Sequence, residues 1–212
     1  MTKLTSLFSS AALALALVSS ASATTVTIGG TSVKGEGMET SVAGATTMTF
    51  DSMKSLPVGF DAIGTTPSNP VVQYSSLGVY LAPTGDCSTY LSTGSGVILD
   101  FAIPAGTTYF GFYWGSVDPN NVFQIDESNG KDFTFTGAQM ENMAGVTVND
   151  KNSYLINFYA DAGTTFTSAG FSSPQNSFEV DNIATATPEP ASVATLAGGL
   201  LIVAGTIRRR KA

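Results

Sequence analysis

The stretch that decides the fold class is Tyr109-Phe110-Gly111-Phe112-Tyr113-Trp114. Successive residues of a β-strand point to opposite faces of the sheet, so Phe110, Phe112 and Trp114 share one face. The other face carries Tyr109 and Tyr113. Because both faces are apolar or aromatic, the stretch predicts a central strand that is covered on both sides, or one whose tyrosine face lines a groove.

The same alternation with a period of two continues outward along the chain. It recurs at 97–101 and 154–159, and further strand candidates lie at 26–28, 46–51, 79–81, 122–125, 133–136, 166–171 and 178–183. Turn-forming residues separate these segments, and Asn129-Gly130 predicts a hairpin between two of them.

Helical patterns are scarce between the two ends of the chain. The segment 138–143 has room for one helical turn, and the proline- and glycine-rich stretch 57–74 predicts a long connection over one end of the domain. Many short strands without long helices predict an all-β fold, an antiparallel two-sheet β-sandwich of the jelly-roll type.

The N-terminal end has the three parts of a secretory signal peptide. Lys3 gives the positive start, 11–18 is apolar, and Ala21-Ser22-Ala23 supplies small residues at a cleavage site. We predict a signal peptide over 1–23, which signal peptidase recognises through Ala21 and Ala23 and removes during export.

The C-terminal end has the pattern of a single membrane anchor. The uncharged run 191–207 follows Pro188-Glu189-Pro190 and precedes Arg208, Arg209, Arg210 and Lys211. A helix over this run is about 25 Å long, slightly short of the roughly 30 Å hydrocarbon core of a bilayer. Clustered cationic residues stay on the cytoplasmic side of a membrane, so the sequence predicts a transmembrane helix with the body of the chain outside the cytoplasm.

This C-terminal pattern resembles the sorting signal of PEP-CTERM proteins, which are substrates of exosortase. Over 188–212, the resemblance implies that Pro188, Glu189 and Pro190 form the recognition motif. The helix and Arg208 to Arg210 would then be a retention signal that holds an inner-membrane precursor only transiently. The mature protein would reach the cell surface or an extracellular, exopolysaccharide-containing matrix. The alternative is an ordinary uncut anchor on a proline-containing stalk.

A second resemblance lies in the body of the chain. The runs 109–118 and 178–183 are similar to those of a recurrent group of exosortase-dependent surface proteins that have no assigned biochemical activity. A final strand that ends in Asp181-Asn182-Ile183 also occurs in many jelly rolls, including carbohydrate-binding ones. This resemblance implies a fold more than a function.

The predicted mature domain, 24–187, carries a strong negative charge. It holds fifteen acidic residues against four lysines, a net charge of −11. Such a surface repels phosphate backbones, so we expect no nucleic-acid partner. Gly, Ser, Thr and Asn supply most of its other polar groups, which suits sugars, matrix and divalent cations.

The missing residue types exclude several chemistries. Without any histidine, the chain cannot form a Ser-His-Asp triad, a Cys-His pair or a His-ligated zinc site. Cys87 is the only cysteine, so it is either unpaired or forms an intermolecular disulfide. We therefore expect no enzymatic activity.

Carboxylates remain the one route to catalysis. Glycoside hydrolysis needs only a pair of acidic side chains about 5–10 Å apart. Candidates beside aromatic strands are Asp100, Asp118, Asp126, Glu127 and Asp132. Most of them are equally explained as exposed turn residues, which leaves a secreted glycoside hydrolase as a third hypothesis.

Two binding hypotheses follow from the remaining polar and aromatic residues. Resemblance to jelly-roll domains implies a structural calcium ion at Asp51, Asp181 and Asn182, because calcium binds hard oxygen ligands. Trp114 with Tyr109 and Tyr113 is the candidate platform for stacking on sugar rings, with core packing as the alternative for Trp114. The overall prediction is a non-enzymatic surface or matrix protein, with a carbohydrate-binding module as the alternative.

Overall fold

The computed structural model describes residues 24–51, 53, 57–63, 71–73, 80–145, 152–175 and 177–187. These residues form short strands and one short helix. The strands are β1 (Thr25–Ile28), β2 (Thr31–Val33), β3 (Gly37–Glu39), β4 (Thr46–Met48), β5 (Phe60–Ile63), β6 (Val71–Gln73), β7 (Tyr90–Thr93), β8 (Ile98–Ala102), β9 (Tyr109–Gly115), β10 (Val122–Glu127), β11 (Asp132–Thr136), β12 (Tyr154–Tyr159), β13 (Phe166–Ser172) and β14 (Phe178–Ala186), and the helix α1 is Gly137–Met143.

The strands form two antiparallel sheets and a separate hairpin. The first sheet has the order β1-β12-β9-β14-β7-β6, and β4 pairs with the second half of β14. The second sheet has the order β11-β10-β13-β8-β5, and β2 pairs with β3. The architecture is therefore an all-β sandwich, as the periodicity predicts.

The eight strands from β7 to β14 pair in a nested pattern. β10 pairs with β11, β9 with β12, β8 with β13, and β7 with β14. The outermost pair thus joins the first and last strands of this series. Because β14 also pairs with β9, the last described strand lies near the middle of the first sheet.

An aromatic core fills the space between the two sheets. Phe112 of the first sheet lies 4.6 Å from Phe123 and 5.2 Å from Phe171, measured between ring centroids, and both partners belong to the second sheet. Trp114 stacks on Phe178 at 4.3 Å. Each of these side chains is fully buried, and burial of a phenylalanine contributes about 1.5–3 kcal/mol.

The opposite face of the first sheet is covered by the hairpin β2–β3. Gly37 approaches the Tyr113 ring so closely that a Cβ atom there would lie 2.3 Å from Tyr113 Cε1, and its φ of +72° also favours glycine. Thr40, just beyond the hairpin, places Oγ1 2.6 Å from the Tyr109 hydroxyl. The central strand is therefore covered on both faces, which was one of the two predicted outcomes.

Most of the predicted strands are confirmed, with ends shifted by a few residues. The Asn129-Gly130 hairpin joins β10 to β11 as predicted, and the helical turn expected at 138–143 is α1. Thr136 caps that helix: its hydroxyl accepts a hydrogen bond from the backbone N–H of Gln139, whose side chain accepts one from the Thr136 N–H.

Two predictions about the middle of the chain are wrong. The stretch 57–74 is not one long connection, because it contains β5 and β6. The segment 79–81 forms no strand at Tyr80 or Leu81; the strand of this region is β7, about ten residues later. The alternation of apolar and polar residues does not predict β7, because its polar residues Ser92 and Thr93 are buried along with its apolar ones.

The predicted signal peptide (1–23) and sorting signal (188–212) lie outside the described residues. Among the residues that the structure does describe, no helix has both the length and the apolar character to span a membrane.

Replacing Phe112 with alanine tests the role of the aromatic core. We expect Phe112→Ala to lower the free energy of unfolding by about 3–5 kcal/mol in urea titrations, because it leaves a cavity between the sheets. Val58→Ala is the control, since Val58 is 99% exposed, and it should change stability by less than about 0.5 kcal/mol. Similar losses in the two variants would contradict this account of the core.

Candidate functional site

Strand β14 places two carboxyl groups on the covered outer face of the first sheet. Glu179 and Asp181 alternate with Phe178 and Val180, which point into the aromatic core. The next residue, Asn182, has a φ of +49° at the point where the pairing with β9 becomes irregular. This irregularity leaves Asp181 and Asn182 both fully buried beneath the β2–β3 hairpin region.

Three other carboxyl groups lie in the region of Asp181. Burial, interaction with Asp86 and then the charge of Asp51 raise the pKa of Asp181 to about 9. Burial also raises the pKa of Glu36, with further increases from Asp51 and Asp86. We call Glu36, Asp51, Asp86 and Asp181 the acidic cluster.

The chain brings the acidic cluster together from four separate segments. Glu36 follows β2, and the backbone around it bridges to Asp86 in the loop before β7. Cys87 reinforces this contact, because its N–H donates to the Gly35 carbonyl at 2.8 Å. The cluster therefore lies where the covering hairpin, the loop and β14 meet.

Several oxygen atoms in the cluster have no hydrogen-bond donor. Asp181 Oδ1 accepts from the Asn182 N–H, and Asp86 Oδ1 accepts from the N–H and hydroxyl of Ser88. The other oxygen of each of these two carboxyl groups is buried and has no partner among the described residues, and the same is true of Glu36 Oε2 and Asn182 Oδ1. Asn182 is held in place through its Nδ2, which donates to the carbonyls of Glu36 and Met38 at 2.7 and 3.1 Å.

No positive side chain neutralises the cluster within the described part of the chain. The one ion pair between described residues joins Lys131 to Asp161, elsewhere in the domain. Asp86 and Asp181 are buried, whereas Glu36 is half-buried and Asp51 is exposed. Buried carboxylates without a counter-charge are unfavourable, so the burial of this pair favours a proton on Asp181 or a nearby cation. The raised pKa of Asp181 means that this carboxyl group holds a proton at neutral pH when no cation is bound.

Of the residues predicted to bind calcium, Asp51 and Asp181 belong to this cluster and Asn182 lies beside it. Asp51 and Asp181 interact electrostatically, and Asn182 is adjacent to Asp181. Sequence reasoning missed Glu36 and Asp86, whose local surroundings show only a hairpin and a turn. Within the described ranges no three acidic or cysteine side chains are arranged to hold a metal ion by themselves. Any calcium ligand set here would include Asn182 Oδ1 and main-chain carbonyls, which calcium also accepts.

A second buried carboxyl group lies two residues before Asp181. Glu179 accepts hydrogen bonds from the hydroxyls of Ser177 and Ser116, the latter at 2.8 Å. Burial raises the pKa of Glu179 to about 7 despite these bonds, which act in the opposite direction. Glu179 therefore changes its protonation near neutral pH, a property that the sequence did not predict.

The predicted platform for sugar stacking is not present. Trp114 is fully buried in the core, while Tyr109 and Tyr113 are 3% and 2% exposed. Both tyrosine hydroxyls are bonded, Tyr109 to Asn157 Oδ1 at 2.8 Å and Tyr113 to the Thr84 carbonyl at 2.6 Å. The prediction of a tyrosine ligand face is wrong because the β2–β3 hairpin covers it, whereas the alternative of core packing for Trp114 is correct.

An open depression of about 960 Å³ lies next to the acidic cluster. Tyr113 reaches its wall, and the rest is mainly small or polar. The other principal residues along it are Lys34, Thr84, Cys87, Asn152 and Ser153. Cys87 is exposed here and forms no disulfide within the described chain, so both predicted fates for its thiol stay predictions.

The carboxylates considered for catalysis do not form one group. Asp100 and Asp126 lie on the same outer face of the second sheet, on β8 and β10, with β13 between them. Burial, followed by the charge of Asp126, raises the pKa of Asp100. Asp118 and Asp132 lie apart in a turn and at the start of β11, and Glu127 is buried in a network at the end of β10.

The protonation of Glu179 makes the stability of the fold depend on pH. Because its pKa is raised from 4.5 to about 7, the folded chain retains a proton that the unfolded chain releases. The resulting stabilisation is fully present below pH 4.5 and is lost as the pH rises through about 7. We expect Glu179 to contribute on the order of 3 kcal/mol to the loss measured by urea unfolding in EDTA. Glu179→Gln should therefore show a smaller pH dependence than the wild-type protein, while the contribution of Asp181, whose pKa is also raised, remains.

The matched control for this experiment is Asp132→Asn, which removes an exposed carboxyl group from β11. It should retain the pH dependence of the wild-type protein. If Glu179→Gln and Asp132→Asn show the same slope of stability against pH, Glu179 is not the group responsible.

No protein-family model matches this chain, and no curated protein matches it. Among solved structures, the chain is similar to the K2 cleaved adhesin domain of Lys-gingipain, at 14% sequence identity and a TM-score of 0.45. The similarity covers 69% of this chain and 99% of the adhesin-domain chain. At these values we base no functional argument on the likeness.

Proposed function

We propose that this chain is an exported exosortase substrate whose β-sandwich acts, without catalysis, at the cell surface or in the extracellular matrix. Signal peptidase would cut after Ala23, and exosortase would act at Pro188-Glu189-Pro190. The membrane would hold the precursor only through the helix 191–207. The mature product would then be the domain 24–187, with whatever group is attached after the second cut.

The observation that carries this proposal is that both ends of the domain leave from the same end of the sandwich. Thr25 pairs with Tyr159, Tyr159 with Tyr109, and Tyr109 with Ala186. These residues form one row across β1, β12, β9 and β14, so the two chain ends are about 14 Å apart at adjacent-strand spacings of about 4.8 Å. Such an arrangement would allow a domain tethered at both ends during export to lie on one side of the membrane.

We also propose that the sandwich is a jelly roll. The nested pairing of β7 with β14, β8 with β13, β9 with β12 and β10 with β11 supports this assignment. In a jelly roll an antiparallel ribbon of eight strands folds over to give two four-stranded sheets. The remaining strands extend the sheets or cover the first one.

The alternative functions keep less support than the surface role. A carbohydrate-binding module loses its predicted aromatic platform and relies on the polar depression beside Tyr113. A glycoside hydrolase would rely on Asp100 and Asp126, which share a face but have no aromatic residue fully exposed beside them among the described residues. We therefore retain the non-enzymatic surface role as the proposal.

We propose further that the acidic cluster binds one calcium ion with a structural role. The buried, donor-free oxygens of Asp86, Asp181 and Asn182 support this proposal, because they are hard ligands without a counter-charge. Glu36 and Asp51 would add negative charge at the same place. The ion would supply only electrostatic neutralisation, and it would tie the covering hairpin and the 86-loop to β14.

Calcium should stabilise the domain if this proposal is correct. At a calcium concentration of 100 times Kd, we expect the Tm of residues 24–187 to rise by roughly 5–10 °C relative to EDTA. Asp181→Asn and Asp86→Asn should each reduce the shift, whereas Asp132→Asn, at an exposed position, should retain it. An unchanged Tm in millimolar calcium would contradict the proposed site.

The intact mass of the mature protein recovered from its native cells tests the proposed processing. We expect a polypeptide that begins at Thr24, lacks 191–212, and carries any group added at the second cut. A mass that includes the uncut tail, or recovery of the whole chain from the cytosol, would contradict the proposal. Separate sequencing of the N-terminal peptide shows which of the two cuts has failed.

A further inference from the structure

We infer that two buried carboxylates, Glu127 and Asp161, form a binding site for a primary ammonium group, and that its ligand is the α-amino group of Thr24. This inference rests on the proposed cut after Ala23, which creates that amino group. Removal of the signal peptide would then complete an interaction that the precursor cannot make.

Thr24 already contacts both carboxylates through its side chain. Its Oγ1 donates to Glu127 Oε1 at 2.5 Å and lies 3.3 Å from Asp161 Oδ1. The main-chain nitrogen of Thr24 is three covalent bonds from Oγ1. The nitrogen therefore lies near the Oγ1 atom that contacts both carboxylates, whether it is an amide in the precursor or an ammonium in the mature protein.

The two carboxylates are buried and already fixed in position. Glu127 is 3% exposed and Asp161 is 6% exposed. Glu127 Oε1 also accepts from the Asp161 N–H at 2.9 Å, and its Oε2 accepts from Asn129 Nδ2 at 2.9 Å. These bonds orient the pair before any ammonium group arrives, so binding needs little rearrangement.

The charge balance around Glu127 and Asp161 favours a second cation in addition to Lys131. Lys131 Nζ lies 2.5 Å from Asp161 Oδ2, and the side chain of Lys131 is 56% exposed. This one lysine faces two buried carboxylates, which leaves one negative charge uncompensated among the described residues. An α-ammonium group at Thr24 would restore neutrality, and a charge-assisted hydrogen bond to a buried carboxylate is among the stronger ones in proteins.

The site also joins parts of both sheets. Glu127 ends β10 of the second sheet, Asp161 follows β12 of the first, and Thr24 precedes the edge strand β1. β1 pairs with β12 alone and is half exposed, so it has few other attachments. Binding of the new amino terminus would therefore fix β1 and close the sandwich at the end where the signal peptide leaves.

The test compares residues 24–187 with a free Thr24 amino group and the same polypeptide acetylated at that group. This fragment contains every described strand pairing and hydrogen bond, and it is released from a fusion so that Thr24 is its first residue. At pH 6 we expect the free form to have a Tm about 3–10 °C higher than the acetylated form. Equal values would overturn the inference.

The pH dependence of this difference provides a second readout. An α-amino group has a pKa of about 7.7–8.0 in an unfolded chain, and binding to carboxylates raises that pKa in the folded chain. The advantage of the free form should be complete below the unfolded pKa and disappear as the pH rises through the folded pKa. A difference that persists unchanged at high pH would overturn the charge-based explanation.

Glu127→Gln tests the identity of the partner. It should reduce the Tm difference between free and acetylated forms, whereas Asp132→Asn, on the exposed surface of β11, should leave it unchanged. Asp161→Asn serves as a second variant if Glu127→Gln does not fold. The fragment begins at Thr24 whatever the cell does, so a failure here overturns the ammonium site, and a different N-terminus in the cellular mass overturns the proposed cut.

Discussion

The packing of aromatic rings between the two sheets is the constraint on which the rest of this structure depends. Phe112 lies at its centre and contacts rings from both sheets, including Phe123 and Phe171 on the opposite one. Because Phe112, Trp114 and Phe178 all point inward, the alternate residues of β9 and β14 have to point outward. The outer face of the first sheet therefore carries both tyrosines and carboxyl groups. Exposure of the tyrosine rings to water is unfavourable, and burial of the carboxyl groups is unfavourable without a proton or a cation.

The cover over that face changes the protonation of the carboxyl groups beneath it. The β2–β3 hairpin closes over Tyr109 and Tyr113, and the same closure removes Asp181 from water. A carboxyl group in this position favours a bound proton or a nearby cation, because its charged form has lost solvation and accepts only from the Asn182 N–H among the described residues. The acidic cluster is therefore a consequence of how the second layer is added to the sandwich. The same reasoning accounts for Glu179, whose serine partners compensate only part of the cost of burial.

The sequence predicts the sandwich well and the site poorly, for physical reasons. Strict alternation in β8, β9 and β12 reports directly which side chains face the core, so fold class and strand faces follow from it. Strands such as β7 bury serine and threonine, which removes the contrast on which the pattern depends. Asp86 meets Asp181, and Glu36 meets Asp86, only where the hairpin and the loop before β7 pack against β14. No local pattern records contacts between residues so far apart in the chain. The prediction of a tyrosine platform was wrong for the same reason. The close contact between Gly37 and the Tyr113 ring is made across the fold and cannot be seen in the sequence.

The charges at the end of the sandwich where the chain enters and leaves follow a different logic from those of the acidic cluster. There, Glu127 and Asp161 accept hydrogen bonds from a backbone N–H, an asparagine and a lysine, so both are supplied with donors. Asp181 instead faces another carboxyl group, which disfavours ionisation. One pair of acids is therefore suited to a hydrogen-bonding ammonium group and the other to a proton or a hard cation. That difference arises from the donors that each pair receives, which include two side chains and a backbone N–H at Glu127 and Asp161. It would allow one strongly acidic domain to use its buried carboxylates for two separate structural purposes.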